Sequence, residues 1–196
     1  MEYKHKRRIV AGLFLFLFLI LYLFDNLSTP VRVLGFLFGL AIFYALDHMF
    51  EIEFELKHYL YMILILAMGI LFAPLYSIYS FYDKVLHLIM PIFACLLMFH
   101  IVDKKNLTLS WKLLITFMFV ISFLSIHEMG EYLIDIVWDM RLQGVYIRDV
   151  SGLEKLNLVI SRIDDTMIDM ILGVVGALSF VVSKISVHFF RKRFIA

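Results

Sequence analysis

The chain has little of what a water-soluble domain uses to cover itself. Only 18% of its residues are charged, and the formal net charge is +1. No strongly charged partner is implied, and the absence of a basic stripe argues against nucleic acid. One cysteine, Cys95, excludes an intrachain disulfide and leaves the redox compartment open. Prolines number three, and there is no internal repeat, low-complexity tract or Gly/Ser linker to mark a domain boundary.

What is present is apolar sequence in long blocks. The chain is 63% hydrophobic with a mean hydropathy of +0.92 and twenty phenylalanines. Soluble domains carry about 45–50% apolar residues, so a water-facing fold cannot hide this much apolar surface. The blocks are continuous, without the alternation of a barrel strand, which points to helices. A spanning helix takes about 20 mostly apolar residues. That rule predicts six spans, near 9–25, 31–47, 58–75, 84–102, 111–134 and 164–188. The expected fold class is therefore all-α: a polytopic membrane helix bundle forming a single transmembrane domain over residues 1–196. The basic and then apolar start resembles a signal peptide, but Asp25 and Asn26 follow its core where a small-residue cleavage pattern belongs. It reads as an uncleaved first span.

Six spans place both termini on one side. That side collects Lys4, Lys6, Arg7, Arg8, Lys57, Lys104, Lys105, Lys112, Lys184, Arg191, Lys192 and Arg193. The other side holds Arg32, Lys84, Arg141, Arg148, Lys155 and Arg162. The excess of basic residues puts the termini in the cytoplasm by the positive-inside rule, as in a multi-pass plasma-membrane protein. Asp47 and His48 then end the second span on the cytoplasmic side, where water is expected to solvate them.

The ionisable residues of the last three spans fall at one depth in this topology. The fourth span opens with "FYDKVLH", carrying Asp83, Lys84 and His87. The fifth ends with "SIHEMGEYLID", carrying His127, Glu128, Glu131 and Asp135, and the sixth opens with "RIDDTMIDM", carrying Asp164, Asp165 and Asp169. Asp83 and His87 share a helical face at i, i+4, as do Asp165 and Asp169, and the polar residues of the fifth span fall within a sector of about 100°. Ionisable groups inside a membrane usually face a bundle interior or a wet cavity, and they mark function by default.

Carboxylates and imidazoles so spaced suit a divalent metal such as Zn, Mn or Fe, and Asp83, His87, Glu131, Asp165 and Asp169 are the expected ligands. The same kinds of group serve as general acid and base, and His127, Glu128, Glu131 and Asp169 are the expected catalytic residues. "HEMGE" is not the zinc-protease motif H-E-x-x-H, because Glu131 stands where the second histidine belongs. The expected function is a metal-dependent or acid/base site near the outer leaflet that acts on or binds a lipid or lipid-linked headgroup, with membrane lipids as partners. A small proton- or cation-coupled carrier is an alternative, although no broken helix or inverted repeat is evident. A non-catalytic scaffold is another: Lys84 or Arg162 would then neutralise the acids and the cluster would only hold helices together. Gly173 and Gly176 offer small surfaces for close helix contact. In the outer segment, "GVYIRDVSG" suggests a turn, and "LEKLNLVIS" is expected to lie amphipathically on the membrane over the cluster.

"YDKVLH" at 82–87, Glu128 and Glu131 spaced E-x-x-E, and "DTMIDMILGVVGA" at 165–177 resemble, in order, the YjdF-type inner-membrane proteins, a family known as a domain of unknown function. "DKVLH" followed by a late Asp and a Gly-containing span also looks like the VanZ-like proteins associated with glycopeptide-antibiotic resistance. The resemblance covers about the last 115 residues and implies the membrane fold. On it, Asp83, His87, Glu128, Glu131, Asp165 and Asp169 match the family's polar motifs. The chain departs from that pattern by lacking a Gly-rich, Trp-containing lead-in to "ISRIDDTMID".

Overall fold

The computed structural model describes residues 28–138, 141–148 and 156–195, with a few isolated positions before residue 28. The first expected span, 9–25, falls almost wholly outside the described residues. The chain forms two compact units, Met1–Pro74 and Leu75–Ala196.

In the first unit, α1 (Ser28–Met49) buries Val33, Phe36, Leu37, Leu40 and Phe43, the one-sided stripe that a 3.6-residue period produces. The chain then reverses through Glu51 and Glu53, both at positive φ (49° and 56°). This reversal corrects the expectation that water solvates Asp47. Asp47 is fully buried, accepting a hydrogen bond from the Phe54 amide at 3.0 Å and another from the Tyr59 hydroxyl at 2.7 Å. The bend brings those donors back to the carboxylate, and backbone and phenol replace water. Next, α2 (Leu56–Leu66) starts at Glu55, whose amide donates to His58 Nδ1 at 3.0 Å while its side chain caps the first turn.

The span expected at 58–75 is not one continuous α-helix. After Leu66 the backbone loosens into a π-turn, Ala67–Leu71, and then tightens into a 3₁₀ turn, Ala73–Ser77. Gly69 is a poor helix former, and Pro74 cannot donate to the turn before it, so apolar content alone overstates the helix.

The second unit is built from α3 (Tyr82–Asp103), α4 (Leu109–Trp138) and α5 (Arg162–Ile195). All three helices pack on one another, with α3 and α5 in the most extensive contact. Their apolar core is Cys95, Phe99, Leu113, Val120, Ala177 and Phe180. The Phe99 and Phe180 rings meet edge-on with centroids 5.7 Å apart, and the Lys184 ammonium lies 4.4 Å from the Phe99 centroid. Two small residues on α5 set the helix spacing. A Cβ on Gly176 would stand 2.2 Å from the Leu88 carbonyl oxygen, whereas one on Gly173 would meet the end of the Leu124 side chain. Buried Pro91 lies against the same Gly176 surface, and it removes the amide that would bond the His87 carbonyl within α3.

Between α4 and α5, β1 (Val145–Arg148) and β2 (Leu156–Ile160) form an antiparallel hairpin, with Tyr146 opposite Leu158 and Ile147 opposite Asn157. Of the segment expected to lie amphipathically on the membrane, residues 156–160 form a strand, while residues 149–155, which include its start and the end of the expected turn, lie outside the described residues. The backbone pairs across the ribbon from Val145 opposite Ile160 to Arg148 opposite Leu156, and such long-range pairing outweighs a helical tendency in so short a segment.

Among the described residues, four helical segments are long and apolar enough to cross a membrane: Arg32–Met49, Tyr82–Asp103, Leu109–Val137 and Arg162–Arg191. A third or less of each is buried, so most of their Phe, Leu, Ile and Met side chains face outward. Outward apolar surface on this extent is a lipid-facing surface. The protein is a mostly helical, membrane-embedded chain.

Candidate functional site

The polar residues of the second unit converge where the first turns of α3 and α5 meet the last turns of α4. Each helix starts or ends there for a local reason. Asp83 lies in the first turn of α3, where its negative charge suits the helix dipole. Ser161 opens α5: its Oγ accepts from the Asp164 amide at 3.3 Å and donates to the Asp164 carboxylate at 2.6 Å. Asp164 is thereby committed to the cap, and Asp165 and Asp169 are left to turn inward.

Lys84 stands at the centre. Its ammonium donates to Asp169 Oδ1 at 2.8 Å and Oδ2 at 2.7 Å, to Asp83 Oδ2 at 3.0 Å, and to Asp165 Oδ1. The four side chains are nearly dry, with exposures between 2% and 17%. Desolvated carboxylates are tolerated because one cation serves three of them.

One turn along α3, His87 is bracketed by acids. Its Nδ1 lies 3.3 Å from Asp83 Oδ1, 3.2 Å from Asp169 Oδ1 and 3.2 Å from the Asp83 carbonyl oxygen. Its Nε2 lies 3.3 Å from Glu128 Oε1. That last contact is a charge attraction without a hydrogen bond, and the buried Glu128 Oε1 has no hydrogen-bond partner among the described residues. The atoms of Asp83, His87 and Asp169 that can donate to a metal all lie within 4.8 Å of one another.

The rim is different. His127 faces His87 with ring centroids 6.0 Å apart, and its Nε2 lies 3.4 Å from Glu131 Oε1. The His127 side chain is half exposed, among outward-facing Phe123, Ile126 and Met129 on the same helix. Thus the polar interior opens through an imidazole onto apolar, lipid-facing surface.

The expected site residues do not all share one environment. Asp83, His87, Glu128 and Asp169 meet inside; His127 and Glu131 form the rim; Asp165 joins through Lys84. Asp165 also accepts the Gly144 amide at 2.7 Å, which ties the hairpin to α5. Asp135 goes elsewhere: its oxygens accept the Leu142 and Gln143 amides at 2.7 and 3.0 Å, so it anchors the chain leading into β1. Gln143 adds a bond from its Nε2 to Thr166 Oγ1 at 3.1 Å. Sequence reasoning misses Tyr76, which stacks edge-on against Tyr82 at 5.1 Å. Burial, reinforced by the Asp83 carboxylate, holds the Tyr76 phenol above its ordinary range, so the hydroxyl stays neutral. Nothing in "YSIYSFY" separates that tyrosine from its interfacial neighbours.

The family described as "Predicted membrane protein (DUF2238)" matches residues 7–189. The chain belongs to it. The match takes in α3, α4 and the part of α5 that carries Asp165 and Asp169, so the whole polar cluster lies inside the DUF2238 region. It agrees with the likeness to YjdF-type membrane proteins and lends none to the VanZ-like one. No curated protein and no solved structure matches the chain. In this DUF2238 protein the cluster sets carboxylate oxygens around two imidazoles, those of His87 and His127.

Proposed function

We propose that the second unit is a membrane-embedded site that binds a lipid or lipid-linked headgroup, with His127 and Glu131 as its acid/base pair. The half-exposed His127, set among Phe123, Ile126 and Met129, carries this reading. A titratable side chain facing lipid is costly unless something polar reaches it from the membrane side, and a headgroup is the polar part of a lipid. Glu128 and Asp169 orient His87 behind that pair, and Asp83 holds its Nδ1 side. In this reading the chain has six spans with both termini in the cytoplasm, and the cluster faces the outer leaflet of the plasma membrane.

A second reading has its own support. The Lys84 ammonium bridges three carboxylates at once, as a structural cluster that holds α3 to α5 would require. Native mass spectrometry of the full chain in lipid nanodiscs separates the two. The headgroup reading expects a phospholipid retained by the wild type and lost by His127→Ala and Glu131→Gln, with both variants folded. Equal retention in all three proteins leaves only the structural role.

A further inference from the structure

We infer that Asp83, His87 and Asp169 form a seat for a divalent cation, with Glu128 orienting His87 from behind. The inference rests on the site proposed above and adds the ligand that its interior is built to hold.

Three observations carry it. First, three oxygens converge on one ring nitrogen: Asp83 O, Asp83 Oδ1 and Asp169 Oδ1 all lie 3.2–3.3 Å from His87 Nδ1. A ring nitrogen bears at most one hydrogen, so a proton there satisfies one of the three. A cation beside Nδ1 would satisfy both carboxylate oxygens together. The separations fit it, because ligands held at about 2.0–2.1 Å in a tetrahedral site lie roughly 3.3–3.4 Å apart.

Second, Glu128 is in the position of an orienting carboxylate. Metal-bound histidines generally give their other N–H to a carboxylate, which fixes the tautomer and the ring. Glu128 Oε1 is buried, has no hydrogen bond and lies 3.3 Å from His87 Nε2. A metal on Nδ1 requires the hydrogen to sit on Nε2, and a small ring rotation would then deliver it to this vacant acceptor.

Third, among the described residues, the cluster's own side chains carry more acids than bases. Asp83, Glu128, Glu131, Asp165 and Asp169 bring five carboxyl groups to one ammonium and two imidazoles. Even with both imidazoles charged, negative charge remains in excess within this set, and excess charge on its buried members calls for a cation or for protons. Lys84 holds both oxygens of Asp169 and keeps Asp165 engaged, which leaves Asp169 Oδ1 shared between ammonium and seat. With two carboxylates and one imidazole, the seat suits Mn²⁺, Fe²⁺ or Zn²⁺ over softer ions.

Full-length protein in detergent, stripped with chelator and titrated with Mn²⁺ and separately with Zn²⁺, provides the test. About one ion per chain is expected. His87→Ala should abolish that binding, Glu128→Gln should weaken it by about 10–100-fold, and Asp164→Asn, an acid committed to the helix cap, should leave it unchanged. Because Asp169→Asn also disturbs Lys84, it is read only alongside His87→Gln and a folding check by circular dichroism. A folded wild type that takes up neither ion overturns the seat, as does His87→Ala that binds like wild type. Lipid retention measured on the same samples keeps the two ideas apart. Lost metal with retained headgroup removes only the seat; retained metal with no headgroup removes only the lipid reading.

Discussion

Lys84 shows how much of the site depends on one side chain. Its side chain is 13% exposed and its ammonium touches three carboxylates, so replacing it with methionine leaves them buried without that cation. Removing one partner of a buried pair costs about 3–5 kcal/mol. Lys84→Met should therefore lower the melting temperature in detergent with chelator by several degrees, at roughly 2–4 °C per kcal/mol for a chain of this size. If the seat exists, Mn²⁺ should restore part of the loss; an unchanged melting temperature would mean the ion pairs contribute nothing net. Asp135 makes the opposite case. It sits one turn beyond Glu131 but receives two amides of the chain leading into β1 and takes no part in the cluster. Asp135→Ala leaves those amides unpaired at about 1–3 kcal/mol. Faster hydrogen exchange over residues 141–148 with unchanged Mn²⁺ affinity is expected, and an altered affinity would draw Asp135 into the site.

Among the helices, α5 depends on two glycines that are not equivalent. A Cβ on Gly176 runs into the backbone oxygen of Leu88, which cannot move unless α3 moves. A Cβ on Gly173 meets the flexible end of Leu124. Gly176→Ala should cost about 1–3 kcal/mol or more by forcing the helices apart, and Gly173→Ala should be nearly neutral; detergent melting curves of the two variants decide the point. The sequence marks α3, α4 and α5 well because long apolar blocks bounded by polar ends leave little choice of structure. It also brings Asp83, His87, Glu128 and Asp169 to one end of the bundle through simple helical spacing. It does not reveal the hairpin, whose eight paired residues owe their form to a partner strand several residues away. Nor does it separate Asp47 and Asp135 from carboxylates in water. Whether an acid at a helix end meets solvent or a returning amide depends on the path of the next seven or eight residues, and "DHMFEIEF" does not disclose that path.

For the molecule as a whole, the arrangement of α3, α4 and α5 constrains topology more tightly than charge counting does. If all three cross the membrane, the α3–α4 connection and the hairpin lie on opposite sides, and the polar cluster shares the hairpin's side because Gly144 is bonded to Asp165. In the proposed topology the α3–α4 side, richer in lysine and arginine, is the cytoplasmic one. Cys95 is fully buried in the apolar core, so Cys95→Ala gives a cysteine-free background with a small loss of packing. New cysteines in that background at Asn106, Asn157 and Ala196 report the three positions that matter. Asn157→Cys should react with a membrane-impermeant maleimide on intact cells. Asn106→Cys and Ala196→Cys should react only after the membrane is opened. The inverse pattern would put the cluster in the cytoplasmic leaflet, where a headgroup site would draw on the lipids of that leaflet. Labelling of Asn106→Cys and Asn157→Cys from the same side would mean that α4 does not cross, and the depth shared by His87, His127 and Asp169 would then have to be explained outside the membrane.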